Sequence, residues 1–187
     1  MVLESERLRL RPLDDDEIGA LIGRETDPEL IKAYGEMLAG CLREPERRLW
    51  YAPWALELKE RPGAAVGDLC FKGPAENGAV ELGYGLREGF CGRGYMTEAV
   101  RTAAAWALAQ PGIARVEAET APDNLASQRV LAVCGFVPTG ELGDSQQVNH
   151  SVNIFCPEER NIRMSRKSSA CALIRGISSN SNIACLR

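Results

Sequence analysis

A chain of 187 residues, 45% apolar and 26% charged, is long enough for one domain with a full core and too balanced for a disordered or fibrous protein. Residues 1–156 hold 24 acidic and 16 basic side chains, whereas 157–187 hold 2 acidic and 6 basic; an acidic body argues against nucleic acid, which needs clustered cations on its phosphates, and suits either a cationic amine ligand or plain solubility. Seven cysteines with no C-x-x-C pair and one histidine, His150, do not suggest a zinc site, and the lack of a leader-like or spanning apolar run predicts a cytoplasmic protein.

The alternation of Leu8, Leu10 and Leu13 with arginines predicts an opening strand that stops at Pro12. Asp14 to Asp16 supply a cap and first-turn acids for a short helix through Ile18, Leu21 and Ile22. Asp27-Pro28 starts a second helix over Leu30, Ile31 and Tyr34, with proline at its favoured first position. Trp50, Tyr51 and Trp54 fit either an apolar wall around a ligand or core packing. Strands over Trp54–Glu60, Val66–Lys72 and Val80–Leu86, separated by turn-forming residues, predict an antiparallel meander. On the third strand Val80, Leu82, Tyr84 and Leu86 share one face, and Glu81, Gly83, Gly85 and Arg87 the other. Two glycines on one face mark a close approach by a ligand or backbone, or an aromatic packed on the sheet.

The strand runs into a glycine-rich turn, Gly89 to Gly94, that opens directly into a helix predicted from Thr97 to Gln110. Backbone N–H groups at a helix amino terminus favour an anion, so a phosphate-bearing ligand is expected there. The turn has neither the Gly-Lys-Ser/Thr ending of an NTPase loop nor the G-x-G-x-x-G spacing of a dinucleotide fold. A strand over Arg115–Thr120, a turn at Pro122-Asp123, a helix from Asn124 to Val133 stopped at Gly135, and a strand from Phe136 follow. Val148, His150, Val152 and Ile154 suggest one more strand that closes the sheet. Residues 157–187 have the composition of a basic, loosely attached tail, so the chain divides into a domain over 1–156 and this appendage.

The run Cys91-Gly-Arg-Gly-Tyr-Met-Thr-Glu-Ala99, followed by the segment from Val116 to Phe136, resembles the acyl-CoA loop and following segment of the GNAT N-acetyltransferase superfamily. The branch it is most similar to is that of the ribosomal-protein amino-terminal acetyltransferases, over about Leu3 to Leu142. This resemblance implies an α+β fold with a mixed, mostly antiparallel sheet flanked by helices. It implies acetyl-CoA as cosubstrate and an N-acetyltransferase acting on a primary amine, a protein amino terminus or a small molecule, by direct transfer in a ternary complex. An acyl-CoA-binding regulatory domain without turnover is the alternative. Backbone N–H groups of Cys91, Gly92, Arg93, Gly94, Tyr95 and Met96 are expected to cradle the pyrophosphate, with the Arg93 side chain adding a contact. A backbone N–H among Tyr84, Gly85 and Leu86 is expected to polarise the thioester carbonyl. The first two helices are expected to overlie the acceptor.

The same resemblance gives Ser127 a hydrogen bond to the coenzyme sulfur and Asn124 a contact to the pantetheine arm. From the residues alone, Asn124 is equally a helix cap and Ser127 a surface hydroxyl. Many members place a tyrosine where this chain has Leu131, so that proton donor is missing, and Cys91 stands where the family often has Gln or Arg. Glu81 is the candidate general base, with Glu57 and water as rivals and an ordinary surface glutamate as the plain reading. Neither nucleic acid nor membrane is expected as a partner, and the assembly is a monomer or homodimer.

Overall fold

A computed structural model of the chain describes residues 1–74, 77–142 and 148–153. The boundary at 156 and the basic tail lie outside the described residues. Eight strands form one sheet: β1 (Leu3–Glu4), β2 (Leu8–Pro12), β3 (Trp54–Leu58), β4 (Ala65–Pro74), β5 (Ala79–Leu86), β6 (Arg115–Thr120), β7 (Val137–Leu142) and β8 (Val148–Asn153), in the order β1-β2-β3-β4-β5-β6-β8-β7. Only β5 and β6 pair in parallel; every other neighbour is antiparallel. The expected α+β fold is the one observed, with α1 (Asp15–Ile22), α2 (Pro28–Arg43), α3 (Arg48–Tyr51), α4 (Tyr95–Leu108) and α5 (Leu125–Val133) around the sheet.

Local chemistry explains the helix starts. Asp14 accepts the Glu17 N–H at 2.8 Å while Glu17 accepts the Asp14 N–H at 2.9 Å, a capping box that opens α1. Asp27 caps α2 ahead of Pro28. α4 begins two residues before the predicted Thr97, because Gly94 takes φ 77° and turns the chain straight into the helix. The strand over Val148–Asn153 does not close an edge: it inserts between β6 and β7, leaving β7 outermost. Three short elements, β1, a 3-10 turn at Pro45–Arg47 and α3, were not predicted; none is long enough to display a period.

The two faces of the sheet are covered differently. Leu8, Leu10, Trp54, Leu56, Leu69, Val80, Leu82 and Val116 pack with Val100, Ala103 and Trp106 of α4 and Leu131 of α5 into the main core. Each such fully buried aliphatic stabilises by ~1.5–3 kcal/mol. Trp50, Trp54, Phe71 and Trp106 meet there with ring centroids 4.8–6.3 Å apart, so Trp50 and Trp54 are core residues and not a ligand wall. On the opposite face α1 and α2 form smaller clusters, Ile18, Cys41, Tyr51 and Ala55 in one, Ala33, Met37 and Cys70 in the other.

Candidate active site

β5 and β6 part company halfway along. Their pairing runs through Ala79↔Arg115, Val80↔Val116 and Glu81↔Glu117 and ends there, although β5 continues to Leu86 and β6 to Thr120. β5 stays bonded to β4 as far as Gly67↔Leu86, and β6 stays bonded to β8 as far as Thr120↔Val148. A wedge therefore opens inside the sheet, edged by backbone from Leu82 to Leu86, where alternate residues turn N–H and C=O away from β4. Tyr84, Gly85 and Leu86 lie on this edge. Gly67 is needed behind it, because a side chain there would collide with the Gly85 carbonyl.

The wedge leads to the glycine loop. Gly89, Gly92 and Gly94 have φ of 88°, 72° and 77°. Among the described residues nothing accepts a hydrogen bond from the backbone N–H of Gly92, Arg93, Gly94, Tyr95, Met96 or Thr97; the first bond of α4 is Glu98 N–H to the Gly94 carbonyl. No side chain caps α4. A helix end left uncapped with its N–H groups exposed is suited to a phosphate. The loop is fastened from behind: Arg7 donates to the Arg93 carbonyl at 3.0 Å and to Glu98 at 2.7 Å, and stacks 4.7 Å from the Tyr95 ring centre. Ser5 donates to the same Glu98 carboxylate at 2.6 Å. Arg93 itself is exposed, its guanidinium 5.9 Å from the Phe90 ring centre and without a carboxylate partner among the described residues.

Two hydroxyls meet at the wedge. The Tyr84 phenol and the buried Ser127 hydroxyl lie 2.9 Å apart, joining β5 to α5. Burial pushes the Tyr84 hydroxyl up to about 12, against the lowering effect of its bond to Ser127, so it is protonated at neutral pH and either hydroxyl can donate to the other. Sequence reasoning chose Tyr84 only for its backbone; its hydroxyl was missed, and the alternation that aims it at the α5 face was the available signal. Asn124 does cap α5, accepting the Ser127 N–H at 3.0 Å. Leu131 is buried in the core. Were the β5–β6 register to continue, Tyr84 would face Thr120, whose buried hydroxyl has no partner among the described residues. An orphaned hydroxyl, a free backbone edge and unfilled loop N–H groups together fit an extended, amide-bearing ligand that ends in phosphates.

The other sheet face carries charge. Asp68 and Cys70 of β4 stand beside Gly85 and Gly83 of β5, and the Lys72 side chain reaches Glu81. Glu81 is ion-paired with Lys72, yet burial still raises its carboxyl above the usual range. Counted along the strand, Glu81 lies about 13 Å before Gly85. Glu57 is held by Arg11, 3.3 Å away, and by the Gly63 N–H, also at 3.3 Å. Asp68 directly opposes Gly85, and sequence reasoning overlooked it because no pattern marks its register.

The family model described as "Acetyltransferase (GNAT) domain" matches residues 7–137. Over 153 residues the chain is 26% identical to the uncharacterized N-acetyltransferase YjdG of Bacillus subtilis (strain 168), covering 73% of this chain and 90% of that protein. Among solved structures, the ribosomal-protein-S5-alanine acetyltransferase of Vibrio fischeri matches with a TM-score of 0.65 at 17% identity, covering 84% of this chain and 100% of that one. The ribosomal L7/L12 alpha-N-protein acetyltransferase RimL, solved in complex with coenzyme A, matches with a TM-score of 0.64 at 21% identity, covering 82% of this chain and 98% of that one. At these identities the two structures share the fold. No helix of the described residues is long and apolar enough to cross a membrane.

Proposed function

Because the chain belongs to the GNAT acetyltransferase family, we propose that it passes an acetyl group from acetyl-CoA directly to a primary amine, either a protein amino terminus or a small amine, within one ternary complex. The observation that carries this reading is the wedge between β5 and β6, with the open glycine loop at one end and the Tyr84–Ser127 pair inside. Acetyl-CoA is the cosubstrate of this family, and it supplies the activated thioester. The neighbours that act on ribosomal-protein amino termini support that class of acceptor.

The N–H groups of the loop from Cys91 to Met96 hold the pyrophosphate, and Arg93, free to swing from Phe90, adds a charge-assisted contact. Asn124 fixes the start of α5, which keeps Ser127 facing Tyr84 and, beyond its capping role, borders the pantetheine arm. A backbone N–H of the Tyr84–Leu86 edge donates to the carbonyl oxygen as negative charge builds on it, a device worth ~3–4 kcal/mol where one such donor has been removed. The amine nitrogen attacks the carbonyl carbon, a C–N bond forms and the C–S bond breaks. Tyr84, relayed through Ser127, protonates the departing thiolate and is itself reprotonated from water. Glu81 accepts the proton that the nitrogen sheds after attack, through water, since it stands too far along the strand for direct contact.

The test is acetyl-CoA turnover followed as free thiol across amino-terminal peptides and small amines, with Ser127→Ala alongside. Acceptor-dependent release that falls in the variant is the expected result. Saturable coenzyme binding without release on any acceptor would leave a binding domain instead.

A further inference from the structure

The acceptor side of the wedge contains a carboxylate that no described residue pairs with. Asp68 sits on β4 directly across from Gly85, the middle of the backbone edge assigned to the thioester carbonyl. Cross-strand partners have Cα atoms ~4.5–5.5 Å apart and point their side chains to the same face. Gly85 and its face-mate Gly83 put no side chain on that face, so Asp68 flanks the backbone edge with no β5 side chain between them. Although largely buried, its carboxylate receives no hydrogen bond and no ion pair from any described residue. Several charged groups of the neighbourhood are committed elsewhere: Glu57 to Arg11, Arg11 also to Glu17, and Glu81 to Lys72.

We propose that Asp68 is the docking site for the acceptor's ammonium group and takes its first proton, so that the acceptor enters as a cation and reacts as a neutral amine. The inference rests on the transferase reading above and names the charge state of the substrate it selects. The bond changes balance. The ammonium N–H breaks, its proton moves to a carboxylate oxygen of Asp68 and then to water, and the freed lone pair makes the C–N bond.

The surroundings fit that task. From α2, the Tyr34 side chain packs against the Cys70 cluster, within electrostatic reach of Asp68, and its hydroxyl has no hydrogen-bond partner among the described residues; burial and the Asp68 charge hold it protonated. Arg87, just past β5, is the cation among the described residues that acts on Asp68, and the two form no ion pair. Cys70, next on the same face, is pushed up to about 12 by burial and stays a neutral thiol. Glu25, ahead of α2, adds negative charge near Tyr34, and β3 offers only Ala55 opposite Asp68. Burial lifts the Asp68 carboxyl to about 6, with Arg87 opposing. A carboxylate poised there is ionised at neutral pH, yet a far better proton acceptor than an ordinary aspartate. Glu119, on the same face of β6 as the Arg115-paired Glu117, adds negative charge beside Glu81.

The experiment uses the full chain, wild type and Asp68→Asn, with an alanine-initiated hexapeptide, the same peptide N-acetylated, and n-butylamine. Thiol release is measured against pH, and peptide binding to the coenzyme-A-loaded protein by calorimetry. Asp68→Asn is expected to lower kcat/KM for the acceptor on the order of a hundredfold and to leave coenzyme A affinity unchanged. The wild-type kcat/KM should fall as pH drops through about 6, and the variant should lack that limb. The free-amine peptide should bind the wild type and not the variant, and the acetylated peptide should bind neither.

Unchanged acceptor efficiency in the variant, an acid limb that persists in it, or absence of amine binding to the wild type each overturns the proposal. Amine binding that requires Asp68 without any thiol release would uphold the ammonium site while sinking the transferase reading.

Discussion

The two sides of the sheet at the wedge are built from different materials. The proposed donor side is mostly backbone: uncapped N–H groups of a glycine loop, the open edge of β5, and one hydroxyl pair. The proposed acceptor side is side chains: Asp68, Glu81 and Lys72 on the sheet, with Tyr34 on α2, which covers it. A backbone site depends on main-chain geometry, which at Gly89, Gly92 and Gly94 requires positive φ. A side-chain site can change one residue at a time without disturbing the ladder, which lets acceptors differ on a constant donor frame. The same contrast says where substitutions should hurt coenzyme binding and where they should hurt only transfer.

The largest effect should come from breaking the donor backbone. Gly94→Val forces a β-branched residue to φ 77° and crowds the Arg7 guanidinium, 3.4 Å from where its Cβ would sit. Left-handed geometry alone costs ~1–2 kcal/mol, and misdirected N–H groups add to it, so calorimetry should show coenzyme A affinity down on the order of a hundredfold. Unchanged affinity would mean that the loop is not the phosphate cradle. Next in size are Ser127→Ala and Tyr84→Phe, each expected to lower kcat by about tenfold to a hundredfold with coenzyme affinity nearly intact. Because the two hydroxyls act through one bond, the double variant should be little worse than the poorer single. Additive losses would separate their roles.

These effects follow how much of each side was legible in the sequence. The loop announced itself because positive φ demands glycine, and three glycines before a helix leave few other uses for the turn. The meander, α4, β6 and α5 were legible from period and turn chemistry. Asp68 was not, since its meaning depends on the β4–β5 register, and one residue of slip would put it on the core face. The Tyr84–Ser127 bond joins residues 43 apart and is equally invisible to local pattern. The position of β8 between β6 and β7 failed for the same reason: alternation predicts a strand but not its neighbour.

A smaller, two-signed effect sharpens the contrast from inside the wedge. Thr120→Val keeps shape and removes a buried hydroxyl that no described residue satisfies. Removing an unpaired buried polar group should stabilise the free protein by ~1 kcal/mol in urea unfolding, while the KM for acetyl-CoA rises a few-fold because the ligand loses a partner. A gain in stability with unchanged KM would make the hydroxyl a packing defect and not a contact.

The smallest expected effect concerns how the acceptor side is fastened. α1 is tied to the sheet by Arg11, which donates to both Glu17 oxygens at 2.7 and 2.8 Å, and by the Arg48–Asp15 ion pair. The Arg11 hydrogen bonds hold the Glu17 carboxyl down at about 2. A folded value below the unfolded one of ~4.3 means that the tie contributes fully above ~4.3 and is lost as pH falls toward 2. Glu17 is 36% exposed and Arg11 35%, so solvent screening limits the contribution to ~1 kcal/mol. α4, in contrast, is held by Ala99, Val100, Ala103 and Ala107 buried in the main core, contacts that carry no proton. Hydrogen exchange between pH 4.3 and 2 should therefore show α1 amides losing protection before those of α4, and Arg11→Gln should make α1 equally open at neutral pH. If α1 and α4 open together at every pH, the acceptor helices are part of the same cooperative unit as the donor frame, and acceptor specificity cannot be varied without cost to the whole domain.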